Sequence, residues 1–122
     1  MRGDLDLVLV RFSPDFHYEP PQEWLIAGMP SVYRSHAGLR EWSADLREAW
    51  EFLDHTPLEV VDGGDVLAFL CQIRLRARSS GIEIDTRLGQ VFWSERGLIV
   101  RERDFADWDE ALRVAGMPPA GT

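Results

Sequence analysis

A chain of 122 residues carrying 21 acids against 13 bases has a net charge of −8 at neutral pH, so it repels phosphate backbones and anionic membrane surfaces. Nucleic acid and membrane are therefore not expected as partners, and the length fits one domain spanning residues 1–122, enough to bury about two-thirds of its unfolded surface. All the basic residues are arginine and asparagine is absent, which removes lysine Schiff bases, P-loops and asparagine-built oxyanion holes.

The single cysteine, Cys71, has no partner for an internal disulfide, and the opening Met1-Arg2-Gly3-Asp4 lacks an apolar leader core. A cytoplasmic protein is the expectation. No window approaches the length of a membrane span.

Asp4 can cap a short helix in which Leu5, Val8, Leu9 and Phe12 form one stripe, ended by Ser13-Pro14-Asp15. Phe16 to Glu19 reads as a short strand, followed by an irregular loop through Pro20-Pro21, Trp24, Gly28 and Pro30. A second helix is predicted after Ser35, with Leu39, Trp42, Leu46, Ala49, Trp50 and Leu53 on one face and charged residues on the other. Leu58 to Phe105 reads as four strands, punctuated by Asp62-Gly63-Gly64-Asp65, Ser79-Ser80-Gly81 and Glu95-Arg96-Gly97. A last helix is capped by Asp107 with Glu110 three residues on and stops at Gly116.

A two-residue Ser80-Gly81 turn pairs Ser79 with Ile82, which sets Arg78 opposite Glu83 and Arg76 opposite Asp85 on one face, and Ile73 opposite Leu88 and Phe69 opposite Phe92 on the other. The next hairpin has two readings. A three-residue loop places Asp104 beside Leu88, whereas a four-residue loop places it opposite Arg87. The second is preferred, because it gives the acid an arginine and gathers Arg74, Arg87, Glu102 and Asp104 on one sheet face.

Taken in order, Ser13-Pro14-Asp15-Phe16-His17-Tyr18-Glu19, Tyr33-Arg34-Ser35-His36-Ala37-Gly38-Leu39, Asp62-Gly63-Gly64-Asp65, Ser80-Gly81, Gly97-Leu98-Ile99-Val100 and Arg103-Asp104-Phe105-Ala106-Asp107 carry a family likeness. The chain resembles the nuclear transport factor 2-like superfamily, particularly its polyketide-cyclase-like (SnoaL-like) branch. The resemblance implies an α+β, cone-like fold in which a strongly curved antiparallel sheet wraps around helices, here with the first helix missing. It also implies a pocket for a small apolar molecule, and a homodimer through the outer sheet face.

Three chemistries of this fold can be set against the residues. For a ketosteroid-isomerase-like reaction, Glu19 fits the base position, but the strand position for the partner aspartate falls on Gly89. Limonene-epoxide-hydrolase-like members resemble the Arg103–Asp107 ending, yet their Arg-x-Asp strand pattern reads Arg74-Leu75-Arg76 here, and no asparagine can hold the water. The polyketide-cyclase branch asks only for an apolar cavity and an acid able to move a proton.

The resulting expectation is a small-molecule-binding protein using cofactor-free acid–base chemistry of isomerase, cyclase or hydrolase type. Asp104 and Glu19 are the catalytic candidates; Trp24 is the lid, with Tyr33 and Trp42 beside it; and Arg74, Arg87 and Glu102 polarise the pocket. The alternative is a non-catalytic binding or dimerisation module in which Asp104 is a structural ion-pair member. His17, His36 and His55 are too scattered to suggest a metal, and Cys71 reads as core.

Overall fold

The computed structural model describes residues 11–24 and 30–119. The strands are β1 (Phe12–Glu19), β2 (Tyr33–Arg34), β3 (Trp50–Asp62), β4 (Val66–Ala77), β5 (Glu83–Glu95) and β6 (Leu98–Phe105); the helices are α1 (Ser35–Ala49) and α2 (Trp108–Ala115). A 3-10 turn, Gln22–Trp24, follows β1. The strands form one sheet in the order β2-β1-β6-β5-β4-β3. All pairings are antiparallel except β1 with β6, which run parallel. This is the curved α+β cone.

Most of the helix expected from Asp4 lies outside the described residues, but its end does not. Phe12 and Ser13-Pro14-Asp15 belong to β1, where Phe12 pairs with Ile99 and the register shifts before His17. Phe12, Phe16 and Tyr18 are all buried, so the strand is committed to the core from its first residue.

The second helix is also shorter than its pattern suggests. It stops at Ala49, and Trp50 and Leu53 lie in β3. Trp50 packs on the Cys71, Ile73, Leu75 and Leu88 cluster. Leu53 is the extra residue of a bulge between Phe52 and Asp54, and Leu58 is that of a second bulge before Glu59. Each bulge bends the long edge strand.

Both hairpin registers differ from expectation. In the first, Ala77 N donates to Ile82 O at 2.8 Å and Gly81 N to Ala77 O at 2.7 Å, making a longer turn than Ser80-Gly81 alone. The ladder therefore pairs Arg76 with Glu83, Ile73 with Thr86, Cys71 with Leu88 and Leu67 with Phe92. The slip is two residues, so each side chain keeps its face and changes only its partner.

In the second hairpin the turn is the two residues Arg96 and Gly97, with φ of 54° and 80° as a tight right-twisting hairpin requires. Glu95 pairs with Leu98 and Ser94 with Ile99, but Trp93 then pairs with Arg101, so Val100 is bulged out. That residue decides which face the acids take. Were Val100 paired in the ladder, Asp104 would stand opposite Gly89 on the outer face; with Val100 bulged out, Asp104 stands opposite Gln90 and Glu102 opposite Phe92.

Two layers flank the sheet. Phe12, Phe16, Tyr18, Tyr33, Leu39 and Trp42 form the core between α1 and the inner face, joined by Phe92 and Ile99. On the outer face α2 packs through Ala111 and Leu112 on Ala68, Leu70, Val91 and Phe105. Asp107 caps α2 by accepting from Asp109 N at 3.2 Å, and Gly116 ends it at φ 76°. Gly89 is required where the helix crosses: a Cβ there would sit 2.6 Å from that of Ala111.

Candidate functional site

The inner face carries two buried acids, Glu102 at 6% exposure and Asp104 at 5%. They are alternate residues of β6, so they point the same way about 7 Å apart at Cα. The Tyr18 hydroxyl, from the neighbouring β1, donates to Asp104 Oδ2 at 2.7 Å. Asp104 Oδ1 is buried and has no hydrogen-bond partner among the described residues. Gln90, opposite Asp104 in the ladder, donates from Nε2 to Glu102 Oε2 at 3.3 Å and accepts from Cys71 Sγ at 3.5 Å.

Desolvation dominates the electrostatics of this cluster. Burial pushes Asp104 up to about 6 from 3.8, partly offset by the polar side chains of Glu102, Tyr18 and Gln90 around it. Glu102 is pushed well above the ordinary carboxylate range, first by burial and then by the charge of Asp104. Burial and the neighbouring carboxyl thus both favour keeping a proton on the pair. The Tyr18 phenol is driven up by burial and by both acids, which keeps it a neutral donor. Burial raises the Cys71 thiol to about 11, so it is no nucleophile at neutral pH.

Aromatic rings enclose the acids on the α1 side. Trp42 stacks at 5.4 Å from Tyr18 and at 5.4 Å from Tyr33, filling the gap between helix and sheet. Tyr33 is buried and donates to Asp45 Oδ2 at 3.5 Å. Trp24 packs against both the α1 cluster and the Cys71–Leu88 cluster, bridging the two halves of the inner face.

The remaining sequence candidates lie elsewhere. Glu19 is on the outer face, accepting from Arg101 at 2.8 Å with Arg103 3.9 Å from its other oxygen. Arg74 and Arg87 are also outer-face residues. Arg74 is exposed opposite Asp85, and the Arg87 guanidinium stacks 4.4 Å above the Trp108 ring. The expected grouping of Arg74 and Arg87 with Glu102 and Asp104 is therefore corrected, because the Val100 bulge turns the two acids to the opposite side from the arginines. Gly89 likewise faces α2, so it is not an inner-face position from which an aspartate is missing.

Tyr18, Gln90 and Cys71 complete the cluster, and the sequence alone does not single them out as site residues. Tyr18 alternates with Phe16 in the strand preceding Glu19, a pattern that selects the buried member once the face is known. Gln90 and Cys71 carry no such signal. Among the described residues no three histidine, cysteine or acidic side chains gather closely enough to hold a metal, and no helix is long and apolar enough to cross a membrane.

A curved sheet with its acids turned inward onto an aromatic layer defines the class: a cone-like α+β domain of the nuclear transport factor 2-like kind. The family model described as SnoaL-like domain matches residues 1–102, and the chain belongs to that family. A search of curated proteins gave no match. Among solved structures, the chain is similar to a nuclear transport factor 2-like protein of unknown function from Burkholderia pseudomallei, at 22% identity and TM-score 0.75, covering 93% of this chain and 86% of that one. It is similar also to a protein described as a SnoaL-like polyketide cyclase from Mesorhizobium loti, at 17% identity and TM-score 0.70, covering 85% and 86%. A third is TerC co-crystallized with polyporic acid, at 17% identity and TM-score 0.73, covering 94% and 88%. At these identities the likeness establishes the fold.

Proposed function

We propose that the protein binds a small, largely apolar molecule against the inner face of the sheet and moves a proton on it without a cofactor, in the manner of an isomerase or cyclase. The observation that carries this reading is Asp104: a buried carboxylate with one oxygen held by Tyr18 and the other without a partner among the described residues. Natural interiors rarely leave such an acceptor unbonded, since doing so costs about 1–3 kcal/mol, and functional sites are where the exceptions collect. A pKa near 6 leaves Asp104 mostly ionised at neutral pH yet basic enough to accept a proton. Trp24, Tyr33 and Trp42 supply the apolar walls, with Trp24 as the covering residue. The neighbours described as a polyketide cyclase and as co-crystallized with polyporic acid are consistent with an organic ligand on this scaffold.

A homodimer through the outer sheet face and a cytoplasmic setting, where a lone buried thiol needs no disulfide partner, belong to the same proposal. The test is a thermal-shift screen of neutral apolar metabolites on wild type and Asp104→Asn. Ligands that stabilise the wild type and lose that effect in the folded variant support the reading; equal stabilisation of both removes Asp104 from the site.

A further inference from the structure

We propose that the outer face of β1, β2 and β6 holds a small, doubly charged oxyanion, a phosphate group or a dicarboxylate, on Arg34, Arg101 and Arg103. This site is separate from the inner-face reading and lies on the opposite side of the sheet. His17 pairs with both Arg34 and Arg101, and Glu19 with Arg103, so five same-face residues are neighbours on three adjacent strands. With strands about 4.8 Å apart and same-face residues about 7 Å apart along each, the group spans roughly 10 Å.

Charge is out of balance here. With His17 neutral, three arginines face one carboxylate, a local surplus of positive charge in a chain whose net charge is −8. Arg101 engages a single oxygen of Glu19, Oε1, through Nε at 2.9 Å and Nη2 at 2.8 Å. Arg103 Nε lies 3.9 Å from Oε2 and His17 Nε2 lies 4.0 Å from Oε1, both beyond hydrogen-bond reach, and Arg34 is exposed. Among the described residues Glu19 is the one acid paired with Arg101 and Arg103. The far end of the same face has the inverse ratio: Arg76 lies 3.0 Å from both Glu51 and Glu83, and Arg74 stands between Asp54 and Asp85 in the ladder.

Two of the three arginines are also positioned in advance. The Arg101 guanidinium lies 4.5 Å over the Trp93 ring and that of Arg103 lies 4.7 Å over the Phe105 ring, while their side chains stay 34% and 32% exposed. Stacking takes up the flat face of a guanidinium, leaves its N–H donors directed outward in the plane, and removes rotamer freedom that binding would otherwise cost. Such forks match the oxygens of phosphate or carboxylate. A nucleic acid still meets the repulsion of the whole chain, whereas a small ion responds to charges within about 8 Å at physiological salt.

The test is calorimetric titration of inorganic phosphate and, separately, of succinate, above neutral pH and at constant ionic strength, into wild type, Arg103→Gln, Glu19→Gln and Arg76→Gln. Circular dichroism verifies folding, and light scattering gives the mass. Wild type should bind saturably. Arg103→Gln should bind about tenfold more weakly. Glu19→Gln, which removes the competing charge and keeps the shape, should bind severalfold more tightly, and Arg76→Gln should match wild type. Binding of phosphate alone assigns a phosphate group and binding of succinate alone a dicarboxylate; either supports the site. No saturable binding of either anion overturns it, as does equal affinity in wild type and folded Arg103→Gln. A wild-type dimer that Arg103→Gln splits, with neither anion bound, gives the patch to the acids of a second copy and also overturns the proposal.

Discussion

Asp104 is costly to the fold in a way that pH can expose. Its folded pKa of about 6 lies above the ordinary 3.8, so as pH rises the unfolded chain gives up this proton first. Stability from Asp104 is therefore full below about pH 4 and is lost as pH rises towards 6. Raising the pKa from 3.8 to about 6 corresponds to about 3 kcal/mol. The raised Glu102 acts in the same direction and extends the decline to higher pH. Asp104→Asn should flatten the part between pH 4 and 6 and leave the variant more stable than wild type at pH 8, measured by urea unfolding across pH. Tyr18→Phe acts oppositely: it strips the hydroxyl from Oδ2 and should raise the Asp104 pKa further, read from its carboxyl carbon shift by NMR.

At the scale of elements, the single residue Val100 decides which chemistry the sheet presents. Were it to take a regular place in the ladder opposite Trp93, every later residue would change face, sending Arg101 and Arg103 inward and both acids out onto the α2 face. Arg101 would lose Glu19 and its stacking on Trp93, and the α1 core would receive charge. Deleting Val100 removes only the extra residue and keeps Arg101 opposite Trp93 and Asp104 opposite Gln90, so the deletion is expected to retain a cooperative melt by circular dichroism, and Val100→Ala, which keeps the bulge, to melt within about 1 kcal/mol of wild type. The same residue shows where sequence reading stops. The turns at Asp62–Asp65 and Glu95–Gly97, the capped last helix and the buried alternation of β4 are local signals and are legible. A bulge leaves no local signal, because Val100 suits a regular strand as well as a bulged one. Pairing Asp104 with Arg87 satisfies a charge by the commonest means; the fold instead gives it a tyrosine hydroxyl and a raised pKa. Trp50 and Leu53 mislead for a similar reason, since helical spacing continues past Ala49 into a strand that begins where the helix ends.

For the molecule as a whole, the helix beyond the SnoaL-like match has a definite task. Residues 1–102 contain the inner site's Tyr18, Gln90 and Glu102, while Asp104 and α2 follow the matched stretch. That helix covers Ala68, Leu70, Val91 and Phe105, which would otherwise lie bare on the outer face. Elsewhere that face carries charged side chains, Arg76 among them lying 3.0 Å from both Glu51 and Glu83. Such exposed pairs add little stability but keep the surface hydrated. A dimer through the sheet must therefore use the charged strip beside α2, and should weaken as salt screens it. Leu112→Asp places a charge at a site only 1% exposed, costing at least the roughly 2–5 kcal/mol of emptying a buried leucine position. It should lift α2 and bare the four apolar residues. Light scattering after size exclusion is expected to show larger species in the variant that persist at high salt, because apolar contact does not screen away. An unchanged mass, with α2 amides exchanging freely, would show that the outer face stays non-adhesive without its helix.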